Sequence, residues 1–195
     1  PGVEHRLLVV GNRLVAATRG ETASVVGDGK STIVELIDSQ INSDPRCGED
    51  EFSPIEPVHV EREPAVLLEL QRQGFAPDSV PSGGKKVLII RYGTLADDVT
   101  DEVHPDVAEA ATLAARVVGL DIAGIDIVAE DISRPLEEQR GAIVEVNAAP
   151  GLRMHLAPSF GKGRAVGEAV IADMYPDGDD GRIPVVAVTG TNGKT

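Results

Sequence analysis

The sequence predicts an α+β fold with a mostly antiparallel sheet up to residue 176, followed by the start of an α/β unit. Three observations predict it. Two short apolar runs, Arg6–Val10 and Leu14–Thr18, flank Gly11-Asn12-Arg13, a Gly/Asn connection of hairpin length. Two more apolar runs, Ile122–Ala129 and Ala142–Asn147, are joined by the polar loop Glu130–Arg140. The elements come in mixed order (hairpin, helix, helix, strand, helix, two strands, helix) rather than in βαβ alternation.

Each element has its own local reason. Val25–Lys30 is a Gly-rich loop. Thr32 with Glu35 three residues on is a capping box, opening a helix to about Ile41 with Ile33, Leu36 and Ile37 on its apolar stripe. Asn42 to Pro64 is polar, Pro-rich and irregular, so it is expected as a surface excursion. Ala65–Gln73 is a short helix stopped by Gly74, and Lys86–Ile90 is a strand. Pro105–Val118 has Pro at its first position, Asp106 and Glu109 in its first turn, Arg116 near its end and Gly119 just past it. Its predicted buried face is Val107, Ala111, Ala114 and Val118. A helix from about Arg164 to Tyr175 ends at Pro176, and Ile183–Thr189 reads as a buried-type strand running into Gly190–Thr195.

Composition excludes several function classes. The 195 residues are 42% hydrophobic, enough for a core, but only 3% aromatic with no Trp, so that core is aliphatic. A net charge of −14 argues against a nucleic-acid footprint, which needs a basic patch. Cys47 is alone, which rules out an internal disulfide and fits a reducing cytoplasm. No apolar run approaches the roughly 18 residues of a membrane span, and no signal peptide is expected. The chain starts at Pro1 without Met and stops at Thr195 inside a Gly-Lys-Thr loop, so a piece of a longer protein is expected.

The chemistry is expected in two places. Asp126 sits in Ile-Asp-Ile, and Glu145 and Asn147 in Val-Glu-Val-Asn. Strand alternation puts Glu145 and Asn147 on one face, with Val144 and Val146 on the other. Buried carboxylates need partners, and two carboxylates with an amide oxygen are a hard-oxygen set suited to Mg²⁺ beside phosphate. Glu145 would bridge two metals, with Asp126 and Asn147 on either side. Val185–Thr195 ends in Gly190-Thr191-Asn192-Gly193-Lys194-Thr195, a short phosphate-cradling loop in which Lys194 supplies charge and Thr195 a hydroxyl for Mg²⁺. Gly27-Asp28-Gly29-Lys30-Ser31 mimics such a loop but has Ser24 where the standard spacing needs Gly. Arg6, Arg19, Arg91, Arg153 and His155 are basic positions suited to phosphate or carboxylate contacts, and Arg153 and His155 follow the acid set closely. No nucleophile with a base partner is present.

These residues resemble the cyanophycin synthetase family. The resemblance rests on Glu4–Gly11, Gly27-Asp28-Gly29, Asp44-Pro45-Arg46, Asp98–Pro105, Gly119–Asp126, Glu145-Val146-Asn147-Ala148-Ala149-Pro150-Gly151 and Arg182–Thr195. It implies that residues 1–176 are the C-terminal part of an ATP-grasp domain, 177–182 a linker and 183–195 the start of a Mur-ligase-like ATP-binding domain. It implies an ATP-dependent carboxylate–amine ligase in which aspartate joins a poly-aspartate backbone through an acyl phosphate. Arginine would be added by the Mur-like part. The implied cofactors are ATP and Mg²⁺, and the implied partners are aspartate, arginine and a cyanophycin-like polymer primer, in a homo-oligomer. Carried over, Asp126, Glu145 and Asn147 match metal ligands. Arg6 and Arg19 match the nucleotide path, with Gly190, Gly193, Lys194 and Thr195 as the second phosphate loop. Arg91 and Arg153 match catalytic positions, and His155 lies where substrate contacts are expected. The family's longer Asn/Gly-rich loop is shortened here to Arg91–Ala96. The alternatives are an ATP-grasp ligase with another peptide or acid acceptor, and a degenerate, non-catalytic fragment. A P-loop GTPase or kinase would need a full-spacing loop, which the sequence lacks.

Overall fold

A computed structural model of the chain describes residues 2–50, 53–176 and 179–193. Its strands are β1 (Val3–Val10), β2 (Arg13–Val26), β3 (Lys86–Asp98), β4 (Ile122–Ala129) and β5 (Ala142–Ala148). They form one sheet in the order β3-β2-β1-β4-β5, antiparallel throughout. The expected hairpin is present and tight: Gly11 and Asn12 carry φ of 54° and 62°, the two positive values that a turn matched to strand twist requires.

The helices are α1 (Ile33–Ile37), α2 (Pro64–Arg72), α3 (Pro105–Val118), α4 (Arg153–Leu156) and α5 (Val166–Met174). Thr32 and Glu35 form the capping box, but α1 widens into a π-helical turn over Asp38–Asn42. Gly119 closes α3 in the left-handed region, at φ 82°. The buried face of α3 is Val107, Ala111 and Ala115, spaced four apart. Val118 is 58% exposed, because the stripe drifts round the helix and leaves the sheet before the last turn. The four-residue α4 was not expected from the sequence.

Three apolar clusters hold these elements. On one face of the sheet, α3 packs on Leu7, Val9, Ala17, Ala123, Ile125 and Ile127. Each large aliphatic side chain buried there contributes roughly 1.5–3 kcal/mol. A second cluster joins α1, α2 and Val58 and Val60 of the excursion to Val25, Val87 and Ile89. The third sits on the opposite face, where Val166 of α5 covers Leu8, Val10 and Ala16. That face is capped at the Val10 end and leaves the Arg6 end for a cavity.

Three expectations are corrected here. The segment 91–96 is not a loop: β3 runs through it and pairs with β2, with register irregularities between Glu21 and Ser24. Val144 does not face the core. Ile127 pairs with Ile143 and Asp126 with Glu145, so Val144 is the extra residue of a bulge and is 60% exposed. The bulge brings both Ile143 and Val146 onto the α3 side, which strict alternation forbids for residues three apart. Finally, Ile183–Thr189 is not a strand. Ile183, Val185, Val186 and Val188 are 78–86% exposed, since no described element pairs with them and a strand alone cannot satisfy its backbone.

Candidate active site

The register places one residue from every strand in a single row: Asp98, Thr18, Arg6, Asp126 and Glu145, on β3, β2, β1, β4 and β5 respectively. The row lies on the face away from α3. One step along, Gly124 stands between Leu8 and Asn147. The sheet therefore brings Asp126, Glu145 and Asn147 together on adjacent strands.

Asp126 is 4% exposed and needs compensation. Arg6 provides it with a fork, its Nε on one carboxylate oxygen and its Nη2 on the other at 2.9 Å. Asn147 donates its Nδ2 to the second oxygen at 3.0 Å. Glu145 is exposed beside this pair. Among the described residues no group of three or more His, Cys, Asp and Glu forms a metal cluster. The donor set is two carboxylates and one amide. Its chemistry fits a hard divalent cation, provided Arg6 shares Asp126 and the Asn147 amide turns its oxygen inward, the two amide orientations being close to isosteric.

Glycine makes this arrangement possible. A Cβ on Gly124 would stand 2.8 Å from the Pro150 Cβ and 3.3 Å from the Arg6 Cδ. Gly124 thus leaves room for the Arg6 stem on one side and Pro150 on the other. Ala149, at φ 48°, turns the chain back across the sheet face. That strain is held by the packing of Pro150 and Leu152. A Gly inside an apolar strand is a sequence signal for such close approach.

Beyond Arg6 the row opens into a cavity of about 410 Å³, whose lining includes Arg6, Arg91, Arg153, Thr18, Glu4 and Glu56. Each of the two further arginines is held by an acid, Arg91 by one outside the lining and Arg153 by Glu56 within it. Arg91 donates to Glu69 through Nε at 3.0 Å and Nη2 at 2.8 Å. Arg153 donates through Nε to the Ser53 carbonyl at 2.9 Å and through Nη1 to Glu56. The excursion is thereby tied to the segment after Pro150. Arg46 adds a bond to the Ser159 carbonyl at 2.7 Å, and the Ser159 hydroxyl donates to the Pro54 carbonyl at 2.8 Å.

The remaining predicted residues fall elsewhere. Arg19 pairs in register with His5, so it points to the α3 side, where it bonds Glu21 at 2.9 Å and Asp97 at 2.6 Å. It does not reach the cavity. His155 is 1% exposed and is not among the residues that line the cavity. Its two ring nitrogens have no hydrogen-bond partner among the described residues. Burial, then the charge of Arg6, lowers its pKa to about 4, with Asp98 opposing. Gly190 and Gly193 lie in the exposed terminal coil, and Lys194 and Thr195 lie outside the described residues. The Asp28 carboxylate fills its own Gly-rich loop, accepting from the Lys30 and Ser31 amides at 2.8 and 2.7 Å. Those bonds pull its pKa down to about 2, and an anion there would meet a carboxylate.

Two positions escaped sequence reasoning. Asp98 closes the row and is gripped by Arg164, whose Nη2 stands 2.6 Å from Asp98 and 2.8 Å from Asp101. Glu69, 4% exposed, anchors Arg91 from α2. An acid inside an apolar helix face was the available signal for Glu69.

No protein-family model matches the chain. It is 46% identical over 199 aligned residues to the cyanophycin synthetase of Trichormus variabilis, an alignment covering 100% of this chain and 22% of the relative. It is 33% identical over 175 residues to the glutathione biosynthesis bifunctional protein of Clostridium perfringens, covering 87% of this chain and 22% of the relative. Among solved structures it matches a bifunctional glutathione synthetase from Pasteurella multocida with a TM-score of 0.67 and 27% identity, over 90% of this chain and 24% of that one. The chain thus spans about a fifth of the length of these curated relatives. From end to end, it is a relative of one segment of the cyanophycin synthetases.

Proposed function

We propose that the chain is one segment of an ATP-dependent carboxylate–amine ligase of the ATP-grasp type, working in the cytoplasm. The observation that carries this is the row Arg6–Asp126–Glu145 opening into a cavity with three arginines. Phosphoryl transfer needs placement and charge neutralisation rather than a side-chain nucleophile. In the reaction, a carboxylate oxygen of the acceptor takes the γ-phosphoryl group of ATP, releasing ADP. An amine then attacks the acyl phosphate, and the amide forms as phosphate leaves.

Asp126, Glu145 and Asn147 would hold Mg²⁺. The ion would supply charge neutralisation at the phosphates. Arg6 touches both the acid set and the cavity, so it couples the phosphate end to the acid end. Arg91 and Arg153 offer guanidinium groups to an acceptor carboxylate or to the departing phosphate. Pro150, seated on Gly124, keeps the cavity wall fixed to the row.

Following the 46% relatives, we assign the acid as the end of a poly-aspartate backbone and the amine as aspartate. Arginine addition would fall to a following Mur-like unit, beginning at residues 183–195 after a linker at 177–182. A homo-oligomer completes this proposal. The likeness to glutathione biosynthesis proteins favours a second acceptor, a smaller peptide acid, with the same chemistry.

The test is ATP turnover by the full-length protein with Mg²⁺, a poly-aspartate–arginine primer and either aspartate or arginine alone. Aspartate-dependent ADP release that vanishes in Glu145→Gln supports the proposal. A response to arginine alone sinks it in favour of a degenerate segment, and a response only to another acid and amine moves it to the second acceptor.

A further inference from the structure

Glu69 is a buried acid in a layer otherwise made of aliphatic side chains. It lies on α2 between Val66 and Leu70, both at most 1% exposed, which anchor the helix on the cluster of Val25, Val87 and Ile89. An ionised group in that setting needs a strong partner. Its partner is the guanidinium of Arg91, engaged by two parallel bonds at 2.8 and 3.0 Å. A fork of this kind fixes the plane of the guanidinium as well as its position.

The helix itself is fastened to the strand that carries Arg91. Gln73 donates its side-chain Nε2 to the Leu88 carbonyl at 2.8 Å, and its Oε1 accepts from the Leu88 amide at 3.0 Å, replacing a ladder partner for β3. It also donates to the Glu69 carbonyl at 3.0 Å. Glu69, Gln73 and Leu88 therefore make a rigid bracket behind Arg91, which is on the cavity wall. Arg72 approaches Glu69 at 3.8 Å but is 61% exposed, so it adds little.

We propose that Glu69 is a positioning residue: from behind the cavity it sets the orientation in which Arg91 receives the anionic part of a substrate. This rests on the ligase reading of the cavity given above. The anion is a carboxylate or a phosphate, and the two are separated by which KM responds. Without Glu69, Arg91 keeps its charge but loses the fork that fixes its plane, so more of its ordering falls to the binding event, which weakens binding without altering the bound geometry.

The experiment compares Glu69→Gln, Arg91→Ala, the double variant and Arg72→Ala in the full-length protein, with the KM of the acid acceptor and of ATP measured separately from kcat. Expected is a rise of about tenfold in one KM for Glu69→Gln with kcat within about twofold. Arg91→Ala should raise the same KM at least as much, the double variant should be no worse than Arg91→Ala, and Arg72→Ala should change nothing. A rise in the acid KM identifies a carboxylate, and a rise in the ATP KM a phosphate. If Arg91→Ala moves a KM and Glu69→Gln does not, or if their effects multiply, the positioning role fails while the cavity assignment stands. If Arg91→Ala moves neither KM nor kcat, both fail. Should Glu69→Gln not fold, the side-chain ¹⁵N spectrum of the unsubstituted chain decides. Restricted rotation about the Arg91 Nε–Cζ bond is expected, and free rotation overturns the proposal.

Discussion

Arg6 and Asp126 stand opposite each other on β1 and β4, and the guanidinium closes on both oxygens of a carboxylate that is 4% exposed. Asp126 is the residue a cation would need most, so Arg6 holds the place that the cation would share. Removing one member of a buried pair leaves the other uncompensated. Asp126→Asn should lower the unfolding free energy of the chain by about 2–3 kcal/mol, allowing for the partial exposure of Arg6. The pair Arg6→Met with Asp126→Leu should cost less than Asp126→Asn alone. Urea unfolding followed by circular dichroism measures both, and equal losses would show that the pair is not electrostatically coupled.

The same pair predicts a response to metal. Adding Mg²⁺ should shift the Arg6 Nε–H resonance, because a cation at Asp126 competes for the oxygens that this group contacts. Glu145→Gln should abolish the shift. Mg²⁺ shifts confined to the exposed acids of the surface would sink the metal assignment of Asp126, Glu145 and Asn147.

Gly124 tests the link between the row and the cavity wall. A methyl group there meets Pro150 at 2.8 Å and the Arg6 stem at 3.3 Å, so Pro150 and Arg6 must shift to admit it. Gly124→Ala should cost about 1–3 kcal/mol by overpacking and should reduce ligase turnover by more than tenfold through displaced Arg6. Gly151→Ala, where a Cβ would meet nothing within 4 Å, should change stability by no more than about 0.5 kcal/mol. Equal effects at the two positions would contradict the packing described.

How legible the protein was in its sequence follows from which interactions are local. The bounds of α3 and β4 came out as predicted because Pro105, Asp106 and Gly119 mark the helix ends and the apolar run marks the strand. The juxtaposition of Asp126, Glu145 and Asn147 was also legible, since adjacent strands and alternation suffice. Register was not. Which of Arg6 and Arg19 faces the acids depends on Arg6 pairing with Thr18, a relation across the hairpin that composition does not encode. Val144 likewise needed the bulge. Arg91–Ala96 was expected as a shortened loop, yet Leu95 and Ala96 pair with Glu21 and Gly20 of β2, which makes the segment part of β3.

His155 should dominate the first stage of acid destabilisation. Its folded pKa of about 4 lies below its ordinary value of 6.5, because burial and Arg6 disfavour the imidazolium. A depressed histidine binds its proton more readily when unfolded. Stability is therefore full above about pH 6.5, falls as pH drops towards 4 and levels below it, a total of about 3 kcal/mol at most. Asp28 and Asp44, each lowered from 3.8 to about 2 by hydrogen bonds to their own loops, act only below that window. Unfolding midpoints of the chain from pH 7 to 4 should fall, and His155→Met should flatten the slope. A slope unchanged in His155→Met would assign the acid sensitivity to other groups.

The terminal segment provides the last test. Ile183, Val185, Val186 and Val188 are apolar yet 78–86% exposed, so they bury almost nothing against the rest of the chain. Stability scales with apolar area removed from water, and here that area is close to zero. Ending the chain after Arg182 should leave its thermal midpoint within about 1 °C, corresponding to well under 1 kcal/mol. Ending it before Val166 should be severe instead, because Val166 is fully buried against Leu8, Val10 and Ala16 and the truncation uncovers that face. A large loss from the first truncation would mean that residues 183–195 pack on the sheet in solution. Their predicted role as the beginning of a separate unit would then fail, because a strand committed to this core cannot also lead into another.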